Sequence, residues 1–247
     1  MHVGIDLGSR TVKAVVWHDD AVIGYQITES GFDPHRQALA FLERHAAARV
    51  VATGYGRHLM QQHAALDIIT EIKAHALGAR HLFPGCRTIL DVGGQDSKVI
   101  SLDERGRVTG FQMNDKCAAG TGRFLEMMAV SLGYALEDFD LAAAEAGQGS
   151  PINSMCAVFA ESEVVSLKNR GVPPAVIARS VHLAVAGRLA AMVAKSGYGD
   201  HLVFTGGVAN NATLIGLLEK ELGVPVQVPD TPSIVGALGA ALHASTL

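Results

Sequence analysis

The feature that most constrains the fold of this 247-residue chain is a short pattern that occurs twice. In each copy a hydrophobic segment ends in an aspartate and a glycine turn, first at Ile5-Asp6-Leu7-Gly8-Ser9 and again at Leu90-Asp91-Val92-Gly93-Gly94. Two further segments with the composition of β-strands follow each turn. The predicted strands cover 2–7, 11–17 and 21–28 in the first copy and 88–92, 97–102 and 108–113 in the second. The sequence therefore predicts an internal duplication at the level of topology.

Helices and single strands make up the rest of the chain. The hydrophobic pattern predicts helices over about 35–47, 70–82, 119–132, 136–146, 157–168, 174–195, 210–222 and 233–244, and strands at 50–53, 201–205 and 226–228. This order of strands and helices predicts an α/β fold. Asp19 and Asp20 suit a hairpin turn between the second and third strands.

The composition argues against several classes of protein. A net charge of −4 and a pI near 6.2 indicate no basic surface for nucleic acid. No apolar run reaches about 18 residues, the length of a membrane span. The first residues, MHVGIDLGSR, carry an acid where a signal peptide needs an apolar segment. We therefore expect a cytoplasmic protein that binds neither nucleic acid nor a membrane.

The first glycine turn has the residue types of a phosphate-binding site. Because Gly8 has no side chain, backbone N–H groups there can approach phosphate oxygens closely. Ser9 and Thr11 would add hydroxyl donors, and Lys13 would add positive charge. Asp6, at the end of its strand, would be an Mg²⁺ partner through water. For a single copy, an ordinary hairpin with an acid at the strand end explains the pattern equally well.

The second glycine turn repeats these features and makes the ordinary hairpin a weaker explanation. Gly93 and Gly94 would grip a triphosphate from the other side, with Asp91 and Asp96 near the metal. Gln95 either orients the attacking water or is a solvated turn residue. Two copies in this order predict a pair of hairpins that hold a nucleotide between them.

A third glycine element, Val203-Phe204-Thr205-Gly206-Gly207-Val208-Ala209-Asn210-Asn211, reads as a strand, a turn and a helix start. Its backbone would lie against the adenosine, which makes Gly206, Gly207 and Asn210 candidate binding residues. The helix predicted from about 119 adds three more candidates near the nucleotide: Gly120, Gly122 and Glu126. Glu126 either reaches the ribose or lies on a solvated face.

The motifs together resemble one family. GIDLGSRTVKAVV, ATGYGR, TEIKAHALGA, DVGGQDSKVI, NDKCAAGTGRFLE, CAVFAESEVVSL and TGGVANN occur in its order and cover nearly the whole chain. The chain resembles the ATPases that activate 2-hydroxyacyl-CoA dehydratases and drive benzoyl-CoA reductases, within the actin, sugar-kinase and heat-shock chaperone superfamily. The resemblance implies a duplicated, ribonuclease H-like fold of two lobes with a nucleotide cleft between them. One lobe would comprise residues 1–85 and 232–247, and the other 86–231.

The resemblance also assigns a role to two of the three cysteines. In that family two subunits share one [4Fe–4S] cluster across a twofold axis, and Cys117 and Cys156 match the ligand positions. Such a cluster needs four thiolates, which a symmetric homodimer supplies from two per chain. Cys117 precedes a predicted helix whose N-terminus favours anions. A structural zinc held by the same thiols stays possible. Cys86 matches no ligand position and is expected to be a small buried residue.

The function implied by the resemblance is that of an ATP-dependent one-electron donor. Reduced ferredoxin or flavodoxin would supply the electron, and a 2-hydroxyacyl-CoA dehydratase or a related double-cubane reductase would receive it. Two other functions compete. One is a small-molecule kinase of the same superfamily, acting for example on an amino sugar. The other is a nucleotide-switched scaffold whose dimer is joined by zinc.

Overall fold

The computed structural model describes residues 1–45, 48–65, 67–150, 152, 156–197 and 201–247. Within these residues the strands are β1 (His2–Leu7), β2 (Thr11–His18), β3 (Ala21–Glu29), β4 (Arg49–Thr53), β5 (Asp67–Ile68), β6 (Thr88–Val92), β7 (Ser97–Leu102), β8 (Val108–Asn114), β9 (Leu202–Thr205) and β10 (Val226–Gln227). The α-helices are α1 (Pro34–Glu43), α2 (Arg57–His63), α3 (Glu71–Leu82), α4 (Gly122–Leu132), α5 (Leu136–Glu145), α6 (Ala157–Asn169), α7 (Pro174–Lys195), α8 (Ala212–Leu222) and α9 (Val235–Ser245).

The strands form two sheets with the same topology. The first sheet has the order β3-β2-β1-β4-β5 and the second has the order β8-β7-β6-β9-β10. In both sheets the first three strands are antiparallel, and the last two pair in parallel. The predicted duplication is therefore present in strand order and in strand direction.

Most predicted elements occur close to their predicted positions, and the differences have local causes. The β2–β3 turn at Asp19 and Asp20 has φ angles of 48° and 59°, as a two-residue hairpin turn requires. Helix α4 begins at Gly122 and not near 119, because Gly120 (φ 92°) and the extended Thr121 are not helical. Helix α1 ends at Glu43, and positions 46 and 47 of the predicted helix lie outside the described residues. Neither α2 nor β5 was predicted.

Two helices connect the sheets. Helix α9 packs on β1, β2 and β4 of the first sheet, whereas α3 packs on β6–β9 of the second. The two helices also pack against each other. At their crossing the Ala74 carbonyl lies so close to Gly239 that no β-carbon would fit there. The division into lobes of 1–85 with 232–247 and of 86–231 stays a prediction.

The two halves differ most in one connection. Among the described residues, α1 lies between β3 and β4 in the first half, whereas α4, α5, α6 and α7 lie between β8 and β9 in the second half. By its length and composition alone, helix α7 is long and apolar enough to cross a membrane. Its residues at a four-residue spacing, Ile177, Val181, Val185, Leu189 and Val193, are however buried in the core of the second half. Helix α7 is therefore a core helix.

Candidate functional site

A cavity of about 660 Å³ lies between the two sheets. This volume falls in the range of small-molecule sites. Most of the residues predicted to bind nucleotide line it: Asp6, Gly8, Ser9, Thr11, Lys13, Asp91, Gly93, Gly94, Asp96, Gly122, Glu126, Gly206, Gly207 and Asn210. Gln95 is exposed, and neither it nor Gly120 is part of the described lining. The predicted roles of these residues stay predictions.

An aspartate–lysine pair occurs at the same register in both hairpins. Asp6 is opposite Lys13 in the β1–β2 ladder, and Asp91 is opposite Lys98 in the β6–β7 ladder. Lys13 Nζ lies 3.1 Å from Asp6 Oδ2. Lys98 was not among the predicted site residues. The signal that would have found it is its spacing of seven residues from Asp91, which repeats the spacing of Lys13 from Asp6.

Lys98 is surrounded by three carboxylates. Its Nζ lies 2.6 Å from Glu71 Oε2, 2.7 Å from Asp96 Oδ2 and 3.6 Å from Asp91 Oδ2. Burial favours the neutral amine, but the three carboxylates outweigh it and raise the pKa of Lys98. Glu71 belongs to α3, so this cluster attaches that helix to the second hairpin.

The cavity floor carries more negative than positive charge. Among the described residues that line the cavity, the four carboxyl groups of Asp6, Glu71, Asp91 and Asp96 lie beside two lysines, Lys13 and Lys98. Burial raises the pKa of Glu71, and the nearby Asp6 and Asp91 add to this effect against the opposing charge of Lys98. Burial also opposes ionisation of Asp91, but His75, Lys98 and Lys13 outweigh it and lower the pKa of Asp91. A bound cation would neutralise the excess negative charge.

His75 joins α3 to the second sheet beside these acids. Its side chain is almost fully buried; its Nδ1 lies 3.0 Å from Thr205 Oγ1 and its Nε2 3.5 Å from Asp91 Oδ2. Thr205 Oγ1 lies 3.3 Å from Asp91 Oδ1. From sequence alone His75 could equally have been a core histidine. In the structure it lines the cavity.

Hydrogen bonds join the first hairpin to α4, the loop after β4 to the second hairpin, and α4 to the second hairpin. Arg10 Nε donates to Glu126 Oε1 over 3.1 Å, and Tyr55 Oη donates to Asp96 Oδ2 over 3.2 Å. The first two N–H groups of α4 donate to carbonyls of the second hairpin, from Gly122 to Gly93 at 3.0 Å and from Arg123 to Gly94 at 2.9 Å. Helix α4 is therefore anchored directly to the second glycine turn.

The glycine after the central parallel strand is also duplicated. Gly54 follows β4 and Gly206 follows β9, and both have φ 88°. A β-carbon on Gly206 would collide with the Val92 carbonyl and lie 2.7 Å from Asp91 Oδ1. Only glycine therefore fits this turn against the hairpin acid.

Replacing Gly206 with alanine is expected to lower the free energy of unfolding by about 2–4 kcal/mol, because the left-handed backbone and the collision both oppose a side chain. Gly207→Ala is the matched control, since no heavy atom lies within 4 Å of its added β-carbon. That variant is expected to stay within about 0.5 kcal/mol of the parent protein. Urea unfolding measures both. Equal losses in the two variants would contradict this account.

The opposite wall of the cavity is formed by α5 and the start of α8. Leu136 and Leu141 of α5 and Val208 of the glycine element offer apolar surface there. Asp140 accepts the N–H groups of Ala212 and Thr213, at 3.0 and 3.1 Å, and so caps α8. These contacts hold α5 and α8 together.

Behind this wall lies His182 of α7, which is completely buried. Burial lowers the pKa of His182 from its ordinary value of 6.5. The unfolded chain therefore takes up a proton at this residue before the folded protein does. The free energy of unfolding is expected to fall as the pH drops below about 6.5, by up to about 1.4 kcal/mol per pH unit from this group.

Urea unfolding at several pH values between 5 and 8 measures this effect. His182→Gln, which does not titrate in this range, lacks the contribution and is the control. The difference in the free energy of unfolding between the wild-type protein and His182→Gln is expected to decrease as the pH falls. A difference that is independent of pH would show that His182 does not contribute.

The cysteines occupy three different environments. Cys117 is partly exposed in the loop five residues before α4, and Cys156 is exposed as the residue that precedes α6. The Asn114 side chain shapes the first loop by donating to the Cys117 carbonyl over 2.9 Å. Cys86 is fully buried, and burial raises the pKa of its thiol to about 12. Among the described residues of one chain, no three His, Cys, Asp or Glu side chains are arranged to hold a metal ion.

Known proteins share this architecture. The sequence profile of the BadF/BadG/BcrA/BcrD ATPase family matches residues 3–244. The activator of lactoyl-CoA dehydratase from Anaerotignum propionicum is 42% identical over 251 residues, covering 98% of this chain and 96% of the relative.

Two solved structures extend the likeness to three dimensions. The activator of the 2-hydroxyisocaproyl-CoA dehydratase from Clostridium difficile with bound ADPNP matches at a TM-score of 0.91 and 37% identity, covering 98% of this chain and 93% of that one. Component A of the (R)-2-hydroxyglutaryl-CoA dehydratase from Acidaminococcus fermentans matches at 0.93 and 38%, covering 99% and 97%. The two-lobed actin-like ATPase fold predicted from the sequence is thereby confirmed. The chain belongs to the BadF/BadG/BcrA/BcrD ATPase family.

Proposed function

We propose that this protein is an ATP-dependent activator that delivers one electron at a time to an iron–sulfur partner enzyme. The observation that carries the proposal is the direct hydrogen bonding of α4 to the second glycine turn. The helix that continues from the Cys117 loop is thus attached to the part of the cavity where a phosphate would bind. A movement of the second glycine turn on nucleotide binding or hydrolysis would therefore be passed through α4 to the loop that carries Cys117.

The cavity fits a nucleotide with Mg²⁺. Each glycine turn offers backbone N–H groups, and the first adds Ser9, Thr11 and Lys13. The carboxylates outnumber the lysines, but no three of the described side chains form a direct metal site. Asp6, Asp91 and Asp96 would therefore hold the ion through water molecules. When bound, Mg²⁺ neutralises developing charge on the phosphates.

The two accessible cysteines fit half of a [4Fe–4S] site. Cys156 lies directly before α6, where backbone N–H groups favour an anionic ligand, and Cys117 lies in the loop five residues before α4. A second copy of the chain would supply the other two thiolates. Exposed apolar residues of α6 next to Cys156, among them Val158 (65% exposed) and Phe159 (66%), support a homodimer through this face. The bound cluster would supply one-electron redox chemistry.

The reported relatives suggest the partners. They act on 2-hydroxyacyl-CoA dehydratases, as their names state. We therefore propose such a dehydratase, or a related double-cubane reductase, as the electron acceptor in the cytoplasm. Reduced ferredoxin or flavodoxin would be the donor. ATP would bind in the cleft between the lobes of residues 1–85 with 232–247 and of 86–231, and its binding or hydrolysis would rotate the two subunits of the dimer relative to each other.

The test is anaerobic purification followed by assays of iron, sulfide and zinc, together with the mass of the dimer. About four irons and four sulfides per dimer are expected. The reduced protein should then reduce a dehydratase of the relatives' kind only when ATP is hydrolysed. An iron-free protein that resists anaerobic cluster reconstitution would overturn the proposal. Zinc in its place would favour the scaffold, and acceptor-dependent ATP turnover without iron would favour a small-molecule kinase.

A further inference from the structure

His182 is not part of the predicted nucleotide site. It does contact two elements that form one wall of the cavity, α5 and the residue before α8. Its ring lies 4.9 Å from that of Phe139, on the helix that carries the apolar residues Leu136 and Leu141. Its Nε2 lies 3.0 Å from the side-chain nitrogen of Asn211, which lines the cavity. His182 itself is fully buried and does not reach the cavity.

The hydrogen bonds fix the proton on this ring. Asn211 Oδ1 accepts the N–H of Leu214 over 2.7 Å, so the Asn211 nitrogen must be the atom that faces His182. Asn211 therefore donates, and His182 Nε2 accepts. The other ring nitrogen, Nδ1, carries the proton and donates to the Ala178 carbonyl over 2.8 Å. Only the neutral ring satisfies this chain of bonds.

This chain of hydrogen bonds ends at the Gly206–Asn211 segment, which lines the cavity. Asn211 is both the cap of α8 and the last residue of the Gly206–Asn211 segment. Its neighbour Asn210 donates to the Gly207 carbonyl over 3.0 Å and lies 3.3 Å from Ser233 Oγ. A rotated Asn211 side chain would lose the α8 cap and release this segment.

We infer that His182 is a positioning residue for the nucleotide, holding Asn211 so that the glycine segment keeps its place in the cavity wall. This inference rests on the proposed nucleotide binding. His182 would act through Asn211 and through the packing of α5, without touching the ligand. Losing the hydrogen bond would leave the partly buried Asn211 amide without its partner in the protein, which weakens the ordered state of the wall.

Two substitutions separate positioning from general packing. His182→Asn retains a donor for the Ala178 carbonyl but has no atom at the Nε2 position. His182→Gln places an acceptor near the Nε2 position but loses the bond to Ala178. Both variants remove the ring that packs on Phe139, so they share that loss. They differ in whether Asn211 keeps its partner.

The measurement is the Kd of MgADP by calorimetry on the 247-residue chain, with the KM for ATP as a second readout. His182→Asn is expected to bind MgADP about tenfold more weakly than wild type, and His182→Gln within about threefold of it. Equal weakening in both variants would reduce His182 to a packing residue and overturn the inference. So would a His182→Asn protein that binds as well as wild type. If wild type itself does not bind MgADP, the proposed function fails as well.

A second variant tests the inference if His182→Asn does not fold. Asn211→Asp keeps an acceptor for the α8 cap but presents an oxygen to His182 Nε2, which then needs a proton. The groups that face His182 are Asp140 of α5 and Arg179 of α7. At pH 8, Asn211→Asp is expected to bind MgADP with a Kd about tenfold higher than that of wild type. At pH 6 the ratio of the two Kd values is expected to approach one. A ratio that does not change with pH would overturn the inference.

Discussion

Replacing Lys98 with methionine is expected to lower the free energy of unfolding by about 3–5 kcal/mol, because the buried Asp91 and Asp96 and the partly buried Glu71 lose their cation. The Lys98 side chain is 4% exposed, and it lies within 3.6 Å of Asp91, Asp96 and Glu71. Methionine has a similar volume, so the loss comes from charge and not from a cavity. Urea unfolding at pH 7 measures it.

Lys13→Met is the control offered by the duplication. Lys13 has the same register as Lys98, but its side chain is 15% exposed and it pairs with Asp6. Its loss is expected to cost about 1–2 kcal/mol. Equal costs would show that the extra carboxylates around Lys98 do not matter. If the stability lost in Lys98→Met is smaller at low pH, where the carboxyl groups are protonated, the result would support the electrostatic cause.

Replacing Cys117 or Cys156 with serine is expected to abolish binding of the proposed [4Fe–4S] cluster, because each change removes two of the four thiolates of the proposed symmetric dimer. Iron and sulfide are expected to fall from about four per dimer to near zero after anaerobic reconstitution. The visible absorption of the cluster would be lost with them. Nucleotide binding is measured alongside, since neither cysteine lines the cavity.

Cys86→Ser is the matched control. Cys86 is fully buried, its Sγ lies 3.6 Å from the Thr88 carbonyl, and burial raises the pKa of its thiol to about 12. A thiol of this kind is a poor ligand. The variant is therefore expected to keep the full iron content. A cluster that survives in either of the other two variants, or is lost in this one, would contradict the assignment.

Local patterns were enough to predict most of the fold. The glycine turns, the alternating strands and the uninterrupted helix 174–195 are all coded by neighbouring residues, and α7 occupies these positions. Helix α2 has seven residues and β5 has two, so neither is long enough to show a hydrophobic period. These elements depend on packing against β4.

The cavity was predicted in outline, and its tertiary contacts were not. Glu71 and His75 enter the site because α3 packs on the second sheet, which no local pattern in α3 indicates. Tyr55 reaches Asp96 across 41 residues of sequence. Gln95, predicted to orient the attacking water, lies exposed outside the described lining, and its role stays a prediction.

The repeated topology has a consequence for the origin of the chain. Two sheets of the same order, with an aspartate–lysine pair at one register and a glycine of φ 88° after the same strand, are what fusion of two copies of a half-length gene would leave. The ancestor would have been a homodimer with its pocket on the twofold axis. Both accessible cysteines lie between β8 and β9, where the described residues form four α-helices. The described residues of the equivalent connection in the first half, between β3 and β4, form one. The proposed redox chemistry would thus be a later acquisition of one descendant copy, added to a pocket that already existed.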